Sequence, residues 1–237
     1  MTKSITSLMS NSEQYALTTA AGEKFQAKFA EQRYVHLKGF YRGVALTLLK
    51  SEIERLAKKA IRRNFKMTET DETPRVLSTL NGDIIDEFSS LIPSLYKDPS
   101  LCEFLSAIVG EQIYTVDDPG EEYVLNILHQ QGDTHGAHID TYKYTLITAI
   151  ETPEKGIGGC LELIPNSHDP NAFDDPNANI VSLCAQDGDL MLLDAGDSVH
   201  RVTSLTKPSR RIVIASAFAN GKTRNDASYS SEKLYGG

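Results

Sequence analysis

Apolar positions recur at helical spacing in the first part of the chain and at strand spacing in the second. In "GVALTLLKSEIERLAKKAI" they return every three or four residues, which predicts a helix over residues 43–63. A similar stripe predicts a helix over 13–31, and "RYVHLKGF" (33–40) between them alternates like a short strand. "NGDIIDEFSSLIPSLY" and "PSLCEFLSAIVG" predict two more helices, the second opening at Pro99 and closing at Gly110.

From about residue 112 the texture changes. "QIYTV", "EYVLNILHQ", "YKYTLITAI", "GCLELI", "GDLMLLDA" and "RRIVIASAFA" are short, rich in β-branched residues and separated by Gly, Pro, Asn and Asp. Many short strands at this spacing predict a sandwich or barrel rather than a parallel α/β sheet. "PNSHDPNAFDDPNAN" (165–179) reads as a long polar loop. The expected organisation is a single α+β domain over 1–237: a helical part to about residue 110, then a β-barrel core over about 111–220 that the helices buttress.

Composition narrows the partners. The 237 residues suffice for a full core, and the formal charge of −8 argues against nucleic acid, whose binding needs clustered Lys and Arg. The one basic cluster, "KKAIRR" (58–63), reads as a solvated helix face. Cys102, Cys160 and Cys184 are widely spaced without a CxxC, so neither a disulfide framework nor a zinc site is expected. No window approaches the roughly 18 apolar residues of a membrane span, and "MTKSITSLMSNSEQ" has no apolar leader-like run, so a cytoplasmic protein is expected. The polar tail "SSEKLYGG" reads as frayed. An oligomer formed through the N-terminal helices stays open.

Candidate chemistry concentrates in "HGAHID" (135–140). On a continuous strand His138 and Asp140 would share a face, as would Tyr142 and Tyr144. Iron(II) oxygenases hold their metal with two histidines and one carboxylate, leaving the other positions open. A lone His-x-Asp is more often an incidental polar pair than a ligand pair. Here a third candidate, His200, follows the strand "GDLMLLDA", and Arg211 opens an apolar strand eleven residues later. A buried arginine there would pair with a carboxylate in a fork geometry; Arg210 would point to the opposite face. His36, His129 and His168 are left without a role.

"HGAHID", "GGCLELIPNSH", "DGDLMLLDAGDSVHRV" and "RRIV", in this order, resemble the Fe(II)/2-oxoglutarate-dependent dioxygenases, whose core is a double-stranded β-helix or jelly roll. The resemblance covers about residues 112–220. It implies Fe(II) bound by His138, Asp140 and His200, 2-oxoglutarate held at its C5 carboxylate by Arg211, and O₂ as oxidant. A narrower likeness, carried by "DETPRVL", "EEYVLNILHQQGDTHGAHID" and "HRVTSL…RRIV", is to the radical halogenases of free amino acids such as lysine and their hydroxylating relatives. Halogenating members carry a small residue where this chain has Asp140, which implies hydroxylation. The same likeness implies that Arg75 binds the substrate carboxylate, with Glu121 and His135 on its polar groups.

Two readings stand for several of these residues. Glu121 would offset a cationic group on the substrate, or be a turn residue beside Glu122. His135 is a substrate contact or a strand-opening polar residue. Arg75, after Pro74 between helical stretches, is expected on a lid that closes over the substrate. Thr141, Ala215 and Ala217 stand where the lysine halogenases are expected to be polar, and Ala215 and Ala217 share strand parity with Arg211. The expected function is hydroxylation of a free amino acid, lysine or another basic one leading. The alternatives are another small metabolite or a peptide residue, and, from another class, a non-catalytic metal-binding barrel. Zinc hydrolysis lacks its HExxH signature.

Overall fold

A computed structural model describes residues 4–11, 14–226 and Leu234. Six helices are described: α1 (Ile5–Met9), α2 (Thr19–Gln32), α3 (Gly43–Ala57), α4 (Gly82–Phe88), α5 (Leu91–Tyr96) and α6 (Pro99–Val109). The first strands are β1 (Tyr34–Leu37), β2 (Ile61–Met67), β3 (Thr73–Leu80), β4 (Tyr114–Thr115), β5 (Tyr123–Leu128) and β6 (Thr134–His138). After them come β7 (Tyr144–Glu151), β8 (Leu161–Pro165), β9 (Val181–Leu183), β10 (Leu190–Leu193), β11 (Ser198–Val202) and β12 (Arg211–Ala219).

The strands pair antiparallel in the order β1-β10-β7-β12-β5-β3-β6-β11-β8-β9, with β2 on β3 and β4 on β12. Residues of β3, β5, β6, β7, β8, β11 and β12 line one common cavity, so the sheet curls around it. β12 shows how one strand serves two compartments. Ile212, Ile214 and Phe218 face the helices, while Arg211, Val213, Ala215 and Ala217 face the cavity. Burial on both faces removes the polar alternation of a half-exposed strand, hence the near-continuous apolar run "RIVIASAFA". The expected α+β jelly-roll architecture is the one observed.

The helices cover the outer face of this sheet. Phe29 of α2 meets Tyr144 edge-on at 5.9 Å, and Tyr96 of α5 lies 4.9 Å from Phe218. The Tyr96 hydroxyl donates to Ala217 O and accepts from Val116 N–H, both at 2.8 Å, which satisfies a polar atom inside an apolar contact. α6 has the ends its sequence predicts: Asp98 caps the Ser100 N–H, Pro99 takes the first turn, and Gly110 closes in the left-handed region at φ 79°.

Several expectations are corrected. α3 ends at Ala57, so "KKAIRR" is not a helix face but a turn and the start of β2. The stripe Leu49, Ile53, Leu56 would next reach positions 60 and 63; Ala60 still packs on the core, but Arg63 puts a charge on that face, and the helix has little left to bury. The first part is therefore less helical than expected, because β2 and β3 form a hairpin within it. "NGDIIDEFSSLIPSLY" folds as two helices split at Ser89 and Ser90. Cys160 and Cys184 form a disulfide, their Cα atoms 4.4 Å apart: two segments distant in sequence meet on the β8–β9 pair, which spacing alone does not show. Cys102 is free. Among the described residues no helix is long and apolar enough to cross a membrane. The tail "SSEKLYGG" lies outside the described residues apart from Leu234, which is buried.

Candidate metal centre

β6 and β11 lie side by side, and His138 stands opposite His200 in the ladder. Their rings are 4.2 Å apart. Asp140 Oδ1 lies 3.5 Å from the Nε2 of each, and the three ligand atoms fall within 4.8 Å of one another. Contrary to the expected continuous strand, β6 does not run through Asp140 but ends at His138. The carboxylate reaches the histidines from the connection that follows, so Tyr144 loses the parity assigned to it. Tyr144 instead packs on Phe29 and donates to Glu111, whereas Tyr142 does line the cavity.

Both imidazoles are oriented from behind. His138 Nδ1 is 2.7 Å from Gly136 O and His200 Nδ1 3.0 Å from Ser198 O. A carbonyl only accepts, so each Nδ1 carries a proton and each Nε2 is the atom turned toward Asp140. Thr145 Oγ1 donates to the other carboxylate oxygen, Asp140 Oδ2, at 2.5 Å. Burial opposes ionisation of Asp140, yet the two imidazoles and the Thr145 hydroxyl hold its carboxyl well below the usual range. Burial, with His200 beside it, pushes His138 down. Burial also acts against charge on His200, but Asp140 outweighs it and draws this histidine upward. An anionic carboxylate with two imidazole Nε2 atoms turned toward it is a donor set for a divalent transition metal with open positions.

His135 joins this group through a bulge. A spacing of three would put His135 and His138 on opposite faces. Between the pairs His200–His138 and Val202–His135, however, β6 has one residue more than β11. The rings stack at 4.2 Å and 21°. Gly136 makes the bulge possible, because a Cβ there would stand 2.8 Å from Pro74 N and O on β3.

Arg75 is corrected from a lid to a sheet position. It lies on β3 opposite His135 and is 1% exposed. Its guanidinium donates to Thr73 Oγ1 at 3.0 Å, Thr70 Oγ1 at 3.1 Å and Pro74 O at 3.2 Å, and it lines the cavity. Alternation in "TPRVLSTL" was masked by Pro74 and by burial of both faces. Glu121 also lines the cavity, while Glu122 pairs outward with Lys97 at 3.2 Å, which separates the two glutamates.

Arg211 is buried and lines the cavity, and its guanidinium has no hydrogen bond or ion pair among the described residues. Burial pushes its guanidinium down to about 10. An uncompensated buried cation implies an anion brought by a ligand. Arg210 points away and pairs with Glu54 and Glu151 at the surface. Behind Arg211 lies a second cavity of about 690 Å³, walled by residues 152–156 and by Cys160 and Cys184. Thr141, Ala215 and Ala217 all line the first cavity.

Two residues were missed. Asn126, buried on β5, lines the cavity with its Oδ1 lacking a partner among the described residues, and Thr145 holds Asp140. Asn126 had a signal, as the polar interruption of the apolar strand "YVLNIL". Thr145 had none. His168 is exposed and 3.2 Å from Asp197, away from the three ligand atoms.

No curated protein matches the sequence. Solved structures match across most of the chain. They include the non-heme α-ketoglutarate-dependent epimerase SnoN from nogalamycin biosynthesis, with 16% identity, 85% of this chain and 81% of that one covered, and a TM-score of 0.66. A prolyl hydroxylase from Trichoplax adhaerens, in complex with a hypoxia inducible factor peptide fragment, matches with 14% identity, coverages of 87% and 92%, and a TM-score of 0.63. EctD from S. alaskensis, with 2-oxoglutarate and 5-hydroxyectoine, matches at 15%, 84% and 76%, and 0.62. At these identities the likeness shows a shared fold. The Halogenase D family model matches residues 17–235, and the chain belongs to that family.

Proposed function

We propose that this enzyme is an Fe(II)- and 2-oxoglutarate-dependent hydroxylase of a free amino acid, with lysine or another basic amino acid as the leading substrate. The observation that carries it is a carboxylate, Asp140, set 3.5 Å from two imidazole nitrogens in a cavity that also holds an unpaired buried arginine. His138, Asp140 and His200 would hold the iron. Arg211 would take the C5 carboxylate of 2-oxoglutarate in a forked pair. The bound iron, keto acid and O₂ supply the oxidising chemistry, converting a C–H bond to C–OH while 2-oxoglutarate becomes succinate and CO₂.

The remaining residues bind and orient. Arg75, fixed by Thr70 and Thr73, offers a cation to the substrate carboxylate, and His135 presents its partnerless Nε2 beside it. Glu121 places a carboxyl group on the cavity wall for a substrate ammonium to meet. The family's name refers to halogenation, which by the resemblance above needs a small residue at the carboxylate position. Asp140 fills it, and the apolar Ala215 and Ala217 offer a halide no donor. Those alanines also favour a second reading, with the same chemistry on another small metabolite.

An anaerobic optical titration with Fe(II) and 2-oxoglutarate tests this. A weak visible charge-transfer band is expected, shifted by the correct amino acid, together with amino-acid-stimulated succinate release. Asp140→Ala is expected to abolish hydroxylation. No band in iron-loaded protein, or an unchanged rate in that variant, would remove the assignment, and an unresponsive amino-acid panel would redirect it to other metabolites.

A further inference from the structure

Strand pairing does not hold the carboxylate of this site. His138 and His200 are opposed in the β6–β11 ladder, but Asp140 lies beyond the end of β6, in the five-residue connection to β7. Thr145 on β7 holds its Oδ2, and what fixes its backbone is a second loop, the turn 194–197 that leads into β11. The Asp140 N–H donates to Ala195 O at 3.1 Å, and the Gly196 N–H donates to Lys143 O at 3.1 Å. The two loops that carry the carboxylate and precede His200 are thus joined by two backbone hydrogen bonds. At their junction sits one ammonium group.

Lys143 Nζ lies 2.7 Å from Asp194 Oδ1 and also binds Asp197 Oδ2. Asp194 is 1% exposed at its side chain and Lys143 17%, so this is an inward-facing pair and not a surface ornament. Asp194 is anchored further, its N–H donating to Arg33 O at 2.9 Å and its Oδ2 lying 3.4 Å from the Arg33 guanidinium. Asp197 Oδ1 lies 3.2 Å from His168 Nε2. The ammonium therefore ties the connection after β6 to both ends of the turn before β11. None of these side chains is among the ligand atoms.

We propose that Lys143, with Asp194 and Asp197, is a positioning clasp that sets Asp140 against His138 and His200, and thereby sets the metal affinity of the site. The proposal rests on the reading of that triad as the metal centre. Removing one partner from a buried pair leaves an uncompensated charge. Without the ammonium, Asp194 and Asp197 repel across the turn, and the loop that carries Asp140 loses its backing, leaving Thr145 alone on the carboxylate, while both histidines keep theirs.

The test is cobalt(II) binding to metal-free protein, read by ligand-field absorption and competition dialysis. Lys143→Met is expected to weaken cobalt binding at least tenfold and to alter the absorption spectrum. Lys143→Arg, whose guanidinium can still span both carboxylates, is expected to recover most of the affinity. Arg62→Met serves as the comparison. It breaks a pair to a fully buried carboxylate, Asp133, outside both loops, and should lower thermal stability while leaving the cobalt affinity within twofold. Should Lys143→Met fail to fold, Asp197→Asn removes the more exposed limb and is expected to weaken binding severalfold. Equal losses in Lys143→Met and Arg62→Met, or an unchanged cobalt affinity in the Lys143 and Asp197 variants, would reduce the clasp to general stabilisation and overturn it. If wild type gives no ligand-field band while His138→Ala behaves identically, the triad reading itself falls, and the clasp with it.

Discussion

Asp133 shows how one buried carboxylate can close a turn. Its side chain is fully buried and accepts from Arg62 Nη1 and Nη2, from His129 N–H and from Gln130 N–H, closing the turn that launches β6. Burial opposes its charge, but Arg62 and the two amides hold its carboxyl below the usual range. A depressed carboxylate contributes stability that is complete above its unfolded value and disappears as pH falls through the folded one. With an unfolded value of about 3.9, the loss belongs below roughly pH 4. Urea midpoints measured from pH 6 to pH 3 are expected to fall more steeply for wild type than for Asp133→Asn, which should be less stable at pH 6 and flatter below. Gly136 acts at the same scale by a different route. Its missing Cβ is what lets β3 approach β6 closely enough to seat Arg75 beside His135.

Elements carry the correction with the largest stability consequence. The Cys160–Cys184 disulfide ties the start of β8 to the end of β9, 24 residues on, beside the cavity behind Arg211. In the chain-entropy picture, a cross-link closing a loop of about 25 residues stabilises by about 3 kcal/mol through the unfolded state. Cys184→Ser is expected to lose about that much in urea denaturation, and wild type in dithiothreitol should fall to the same midpoint. A midpoint insensitive to reductant would show that the bond contributes nothing. The helices, by contrast, act on the site only through the sheet, packing Phe29 and Tyr96 against its outer face while β12 turns Arg211 inward.

At the scale of the molecule, the proposed metal ligands join β6 and β11, two strands more than sixty residues apart in sequence. A metal bound there belongs to the folded state alone. At a hundredfold excess over its dissociation constant it adds about 2.7 kcal/mol, which for a chain of this size is roughly 5–10 °C in Tm. Calorimetry with and without a chelator should show that difference in wild type and a clearly smaller one in Asp140→Ala.

Period-two parity in "RRIVIASAFA" separates Arg211, facing the cavity, from Arg210, facing solvent, before any coordinates are known. The run of short β-branched segments is enough to predict a barrel, and His138, Asp140 and His200 are identifiable as residues of the right kind. The roles proposed for them, and for Arg75, Glu121 and His135, rest on likeness to a family rather than on periodicity. Tertiary structure decided the rest. It placed Arg75 on a strand and His135 beside His138 through a bulge, brought Cys160 to Cys184, and hung Asp140 on a loop clasped by Lys143. Local sequence signals report backbone preference and which side of an element faces inward. Bulges, disulfides and loop-to-loop ion pairs arise only when distant segments meet, and their partners leave no periodic trace in the chain.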